Sequence, residues 1–127
     1  MKVFVTGSTG AIGQWVVRRL LEAGHELVAM DLRAHATREY IYIPGDIRDL
    51  PAVRRAIQGC EAVVHLAAIP FDMERQEELI LDTNLRGTWN ILLAAEEAGV
   101  RRVVHVSSIN ALGQGEKDHP ALYLPLD

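Results

Sequence analysis

Seven residues near the amino terminus have the types and spacing to hold a phosphate: Gly7-Ser8-Thr9-Gly10-Ala11-Ile12-Gly13. They follow a short apolar run, Lys2–Thr6, and open a stretch with helical spacing. In a strand-to-helix turn of this kind Gly7 permits the tight bend and Gly10 lets the backbone approach a pyrophosphate. Gly13 lets the helix lie close to the strand. The pyrophosphate then rests on unpaired amides at the positive end of the helix, so Thr9, Ala11 and Ile12 join the three glycines as expected contacts. Asp31 lies 18 positions after Gly13, at the end of the next apolar run. A carboxylate there accepts hydrogen bonds from both hydroxyls of an adenosine ribose. It also repels a 2′-phosphate, so the expected cofactor is NAD rather than NADP. Arg33 either stacks on the adenine or, with a different loop path, welcomes a phosphate.

The elements that must position these groups alternate between short β-branched runs and longer helical stretches. Strands are expected at Lys2–Thr6, Glu26–Asp31, Tyr40–Ile43, Ala62–Ala67 and Arg102–Ser107. Helices are expected at Ala11–Ala23, Asp49–Gln58 and Glu74–Ala98. Asp49 reads as an N-cap with Pro51 in the first turn. On the first helix Ile12, Trp15, Val16 and Leu20 form the expected apolar face. Strands separated by helices pair in parallel through right-handed crossovers. The expected fold is therefore α/β: a Rossmann-type doubly wound sheet of about five strands in the order 3-2-1-4-5, with ligands at the switch point. Residues 1–127 read as one NAD(P)-binding domain, with a tail over 109–127 that is mostly loop.

Bulk properties narrow the function classes. Hydrophobic residues make up 49% of the 127 and charged residues 24%, a balance that supports a packed core rather than a disordered chain. The net charge of −4 provides no footprint for nucleic acid or an anionic membrane. No apolar run approaches the roughly 18 residues that span a bilayer, and the opening residues do not form a signal peptide. Cys60 is the only cysteine, which fits a reducing compartment, so the expected location is cytoplasmic. The five histidines lack His-x-x-x-His spacing and neighbouring cysteines, so no metal site is expected. His65 and His105, inside apolar strands, are expected to be buried and hydrogen-bonded.

Taken together, these motifs resemble the extended short-chain dehydrogenase/reductase family, also called the NAD-dependent epimerase/dehydratase family. The glycine turn has that family's form, Thr-Gly-x-x-Gly-x-x-Gly, at Thr6 to Gly13. Gly45-Asp46-Ile47-Arg48-Asp49 is similar to the segment in which the family's aspartate meets the adenine amino group. For Asp46 a helix-capping role is the alternative reading, with the cofactor contact favoured by the motif context. His65-Leu66-Ala67-Ala68 resembles the strand end under the nicotinamide ribose. Asn84-Leu85-Arg86-Gly87-Thr88-Trp89-Asn90 resembles the family's Asn-x-x-Gly-Thr-x-Asn stretch. Val106-Ser107-Ser108-Ile109-Asn110-Ala111-Leu112-Gly113 resembles Ser-Ser-x-x-Val-Tyr-Gly, departing from it at Ala111-Leu112. The resemblance implies cofactor contacts at Asp46, Ile47, Leu66, Ala67, Ala68 and Asn84. It implies a catalytic serine at Ser108, with Ile109 and Asn110 beside it in the substrate site.

The implied activity is that of an NAD-dependent epimerase, dehydratase or dehydrogenase acting on a sugar, a nucleotide-sugar or a sugar acid. Such enzymes move protons with a Tyr-x-x-x-Lys pair, which this sequence lacks. Tyr123 is followed by Leu124-Pro125-Leu126-Asp127, and neither Lys2 nor Lys117 stands four positions after a tyrosine. The chain is thus expected to be the front portion of a longer enzyme, truncated before the substrate domain and inactive alone. The alternative is a non-catalytic NAD-binding sensor or assembly module. A homodimer through the long helix 74–98 is a further implication. Leu81, Leu85, Trp89 and Leu92 either form that interface or face the sheet as core.

Overall fold

The computed structural model describes residues 1–70 and 77–108. Five parallel strands form one sheet: β1 (Lys2–Thr6), β2 (Glu26–Asp31), β3 (Ile41–Pro44), β4 (Ala62–His65) and β5 (Arg102–His105). Their order is β3-β2-β1-β4-β5, the doubly wound arrangement expected from the sequence. The first two crossover helices are α1 (Ala11–Glu22) and α2 (Leu50–Ala56). The third helical run comprises α3 (Glu77–Leu81), a π-helical segment (Asp82–Gly87) and α4 (Thr88–Glu97).

Both faces of the inner strands β1, β2 and β4 are covered, as a parallel sheet requires. Phe4, Val28, Met30 and Val63 pack against Val53 and Ile57 near α2 and Ile91 on α4. On the other face Val3, Val5, Leu27 and Ala62 pack against Val17 of α1. The side chains alternate between these layers because strand residues point to opposite faces in turn.

Several sequence expectations need correction. Strand β3 is shifted by one residue and ends on Pro44, which its edge position tolerates because the outer ladder needs no donor. Strands β4 and β5 stop at the His65–His105 pair, short of Ala67 and Ser107. Beyond that point the Leu66 amide donates to the Thr6 carbonyl and the Ala67 amide to Thr6 Oγ1.

Helix α1 keeps Leu20 of its expected face against the core and Val16 half-buried, but it is rotated at its first turns. Ile12 and Trp15 are 61% and 64% exposed, whereas Gly13 and Val17 are buried. A Cβ on Gly13 would lie 2.0 Å from the Gly7 carbonyl oxygen. The turn thus draws the glycine side of the helix inward, and close backbone approach outweighs the larger side chains.

The last run is not one uniform helix over 74–98: it widens to π geometry at Asp82–Gly87, and residues 74–76 lie outside the described residues. Leu81, Leu85, Trp89 and Leu92 are exposed, so they are not sheet-facing core. His105 is exposed as well, because β5 is exposed along its length. His65 is buried, as expected.

Candidate cofactor cleft

The carboxyl ends of the parallel strands meet at a cleft of about 240 Å³. Ten of the expected cofactor residues line it: Gly7, Thr9, Gly10, Asp31, Arg33, Asp46, Ile47, Leu66, Ala67 and Ala68. Gly7 has φ +70°, the left-handed region that favours glycine, and a Cβ there would lie 2.6 Å from the Ala67 nitrogen. Both the backbone conformation and the approach of β4 thus require it. Helix α1 begins after Gly10 with no side-chain cap and no acidic residue in its first turn. The leading amides of Ala11, Ile12 and Gly13 therefore belong to an uncapped positive helix end, which suits a pyrophosphate.

Asp31 is held on both carboxylate oxygens. Oδ2 accepts from the Thr9 amide at 2.9 Å and Oδ1 from the Arg33 amide at 3.3 Å. The acid is thereby tied to the glycine turn. Arg33 is exposed, and its carbonyl accepts a hydrogen bond from the Tyr42 hydroxyl. Burial raises the Tyr42 pKa, and the nearby Asp31 charge adds to it. Tyr42 thus supports from β3 the loop that follows β2, a role that strand periodicity could not reveal.

Asp46 does not cap α2; Asp49 does, accepting from the Ala52 amide at 3.0 Å. The Asp46 carboxylate instead takes the Arg48 amide at 2.8 Å and the Arg48 guanidinium through Nε and Nη2. Hydrogen bonding to Arg48 holds its pKa below the ordinary value. Arg48 also reaches Asp82 at 3.6 Å, and Asp82 pairs with Arg86 at 3.0 Å. This ionic chain runs from the cleft to the π-helical segment.

That segment and α4 grip the loops that form the cleft. Asn84 was expected to touch cofactor, but its side chain clasps Ile69. Oδ1 accepts from the Ile69 amide at 2.8 Å and Nδ2 donates to its carbonyl at 2.9 Å. Its buried neighbour Thr83 lines the cleft instead. Sequence reasoning missed Thr83 because the π turn sets which residue faces inward. A Cβ on Gly87 would lie 2.5 Å from Ile47 Cδ1, so glycine lets the helix pass there. Asn90 Nδ2 donates to the Ile47 and Arg48 carbonyls, both at 3.0 Å. The Asn-x-x-Gly-Thr-x-Asn spacing thus acts as a clamp between strand-end loops.

His65 occupies the middle of a buried polar path. Its Nδ1 lies 2.6 Å from Thr6 Oγ1 and its Nε2 3.0 Å from Thr88 Oγ1. Its ring stacks 5.2 Å from that of His105. Desolvation, helped by His105, lowers the His65 pKa to about 4, so the ring is neutral near pH 7. Ser108 follows β5 at the strands' carboxyl edge and is exposed. Ile109 and Asn110 lie outside the described residues. A larger concavity of about 1180 Å³ runs along Leu81, Leu85, Trp89 and Leu92, without a glycine turn to cradle phosphate.

The NAD dependent epimerase/dehydratase family profile matches residues 3–126, and the chain belongs to that family. It is 35% identical over 116 residues to a putative dihydroflavonol 4-reductase from Synechocystis, covering 87% of this chain and 33% of that protein. Among solved structures, uronate dehydrogenase from Agrobacterium tumefaciens is 32% identical with a TM-score of 0.74, covering 84% of this chain and 40% of the other. UDP-glucose-4-epimerase from Stenotrophomonas maltophila, with bound NAD and formylated UDP-arabinopyranose, is 29% identical with a TM-score of 0.80. That match covers 99% of this chain and 40% of the other. The chain spans about a third of the length of the first curated relatives it matches. Among the described residues no helix is long and apolar enough to cross a membrane, and no cluster of potential metal ligands occurs.

Proposed function

We propose that the cleft binds NAD and that the chain is the cofactor-holding portion of an enzyme acting on a sugar, a nucleotide-sugar or a sugar acid. The observation that carries this reading is Asp31, pinned by the Thr9 amide beside an uncapped helix end. The pyrophosphate is held by the turn from Gly7 to Gly13, and the ribose hydroxyls by Asp31. Asp46 and Ile47 bound the adenine side, and Leu66, Ala67 and Ala68 the opposite wall. When bound, NAD supplies the hydride acceptor and donor. The sugar-type substrate rests on the likeness to uronate dehydrogenase and to the UDP-sugar epimerase. Ser108 donates to the substrate's reacting oxygen. The chain alone does not turn over substrate, since its sequence contains no Tyr-x-x-x-Lys pair. The exposed stripe Leu81, Leu85, Trp89 and Leu92 pairs two copies; Trp89→Glu is expected to lower the sedimentation coefficient, and an unchanged coefficient refutes the pairing.

Calorimetric titration with NAD and with NADP tests the cofactor assignment. NAD binds more tightly, and Asp31→Ala weakens NAD about tenfold to a hundredfold by removing charge-assisted hydrogen bonds. No NAD binding by folded wild-type chain refutes the reading. Family-like turnover by this chain alone refutes its inactivity.

A further inference from the structure

We propose that Thr6, His65 and Thr88 form a one-way hydrogen-bond chain, with His65 in its Nε2–H tautomer, that holds the Ala67 amide in the wall of the cofactor cleft. The polar path alone is compatible with two proton arrangements. In one, His65 Nδ1 carries the proton and donates to Thr6 Oγ1; in the other, Nδ1 accepts from the Thr6 hydroxyl.

Burial decides between them. Thr6 is 0% exposed, and its described side-chain partners are His65 Nδ1 and the Ala67 amide. The amide can only donate. If Nδ1 also donated, the Thr6 hydroxyl proton would be buried without an acceptor, at the cost of an unmade buried hydrogen bond. If Nδ1 accepts, that proton is satisfied and His65 Nε2–H donates to Thr88 Oγ1 at 3.0 Å. Thr88 is only half-buried and borders the open concavity along the helix, so its own proton can reach water. The solvent-accessible end of the path therefore carries the loose proton.

The chain runs from the Ala67 amide through Thr6 and His65 to Thr88 on α4. It joins the cleft wall to α4, directly after the π-helical segment that clasps Ile69 through Asn84. His65 and Thr88 are thus positioning residues for the wall that Gly7 approaches. The effect on cofactor rests on the cleft binding NAD; the tautomer does not.

Long-range ¹H–¹⁵N spectra of the imidazoles in the full chain test the proton arrangement. The His65 Nδ1 is expected unprotonated and Nε2 protonated, unchanged from about pH 5 to about pH 8, where an ordinary histidine titrates. An Nδ1–H form or a mixture overturns the proposal. Thr88→Val is expected to shift the Ala67 amide resonance and weaken NAD about fivefold, the loss of one hydrogen bond. Thr88→Ser restores both. An unmoved Ala67 resonance or unchanged NAD affinity in Thr88→Val overturns the positioning role. If wild-type chain binds no NAD, the functional reading falls, while the tautomer and the Ala67 resonance still judge the chain. If Thr88→Val does not fold, the wild-type tautomer decides.

Discussion

The two sides of the cleft are built differently. The proposed adenosine side is assembled from short stretches in which neighbours in sequence hold one another, joined by the longer Thr9–Asp31 bond and by Asn90 on the Ile47 loop. Gly10 donates to Gly7, Arg33 to Asp31, and Arg48 to Asp46. The opposite side, around Ala67 and Ile69, is held by residues distant in sequence. Thr6 reaches Ala67 across 61 positions, and Asn84 reaches Ile69 across 15. The first side depends chiefly on local turn chemistry, with α4 adding the Asn90 contact; the second depends on a helix arriving at the right depth and rotation. The difference predicts which substitutions disturb which side.

The largest effect is expected at Gly13→Ala, which places a methyl 2.0 Å from the Gly7 oxygen. Overpacking of this kind costs about 3 kcal/mol, read by urea denaturation. A cost below about 1 kcal/mol would mean that the turn relaxes freely and does not set the rotation of α1.

Next is the pH dependence of stability. The folded His65 pKa of about 4 lies below the usual 6.5. The unfolded chain therefore binds the proton more readily. The stability associated with neutral His65 is fully present above about pH 6.5 and is lost as pH falls toward 4. The slope in that window is at most about 1.4 kcal/mol per pH unit. Denaturation at stepped pH should show this slope in the wild type and a flatter one in His65→Phe. An identical slope in both would assign the dependence to other groups.

Asn84→Ala should cost about 1–2 kcal/mol by removing the two-bond clasp on Ile69. It should raise amide exchange at Ile69 while leaving Thr9 unaffected. Equal loosening on both sides of the cleft would erase the contrast between them. The smallest effect is expected at Arg48→Leu. The Asp46 pKa should return upward toward 3.8, since Arg48 is the main cause of its depression. Carboxyl NMR titration reads this directly, and an unmoved Asp46 would show that the ion pair is not formed in solution.

Much of the architecture of the proposed adenosine side was legible in the sequence because its chemistry is largely local. A glycine triplet after an apolar run and an acid ending the next strand imply a phosphate cradle and a ribose acceptor at known spacing. The sheet order was legible for a related reason: alternating strands and helices of these lengths admit few chiral connections. The rotation of α1 was not legible. Counting apolar residues favoured Ile12 and Trp15, whereas backbone contact at Gly13 turned them outward. The interruption of the long helix was equally hidden, since periodicity does not register a π turn.

By itself the sequence set the strand order, the glycine turn, an acid at the end of β2 and the capping of α2 by Asp49. Each follows from residue type and near-neighbour geometry. Only the tertiary structure decided that Asn84 grips a loop, that Thr83 faces the cleft, and that His65 sits between two threonines. Those outcomes depend on where a helix meets strand ends far away in sequence. Burial then dictates which polar atoms must find partners within the protein.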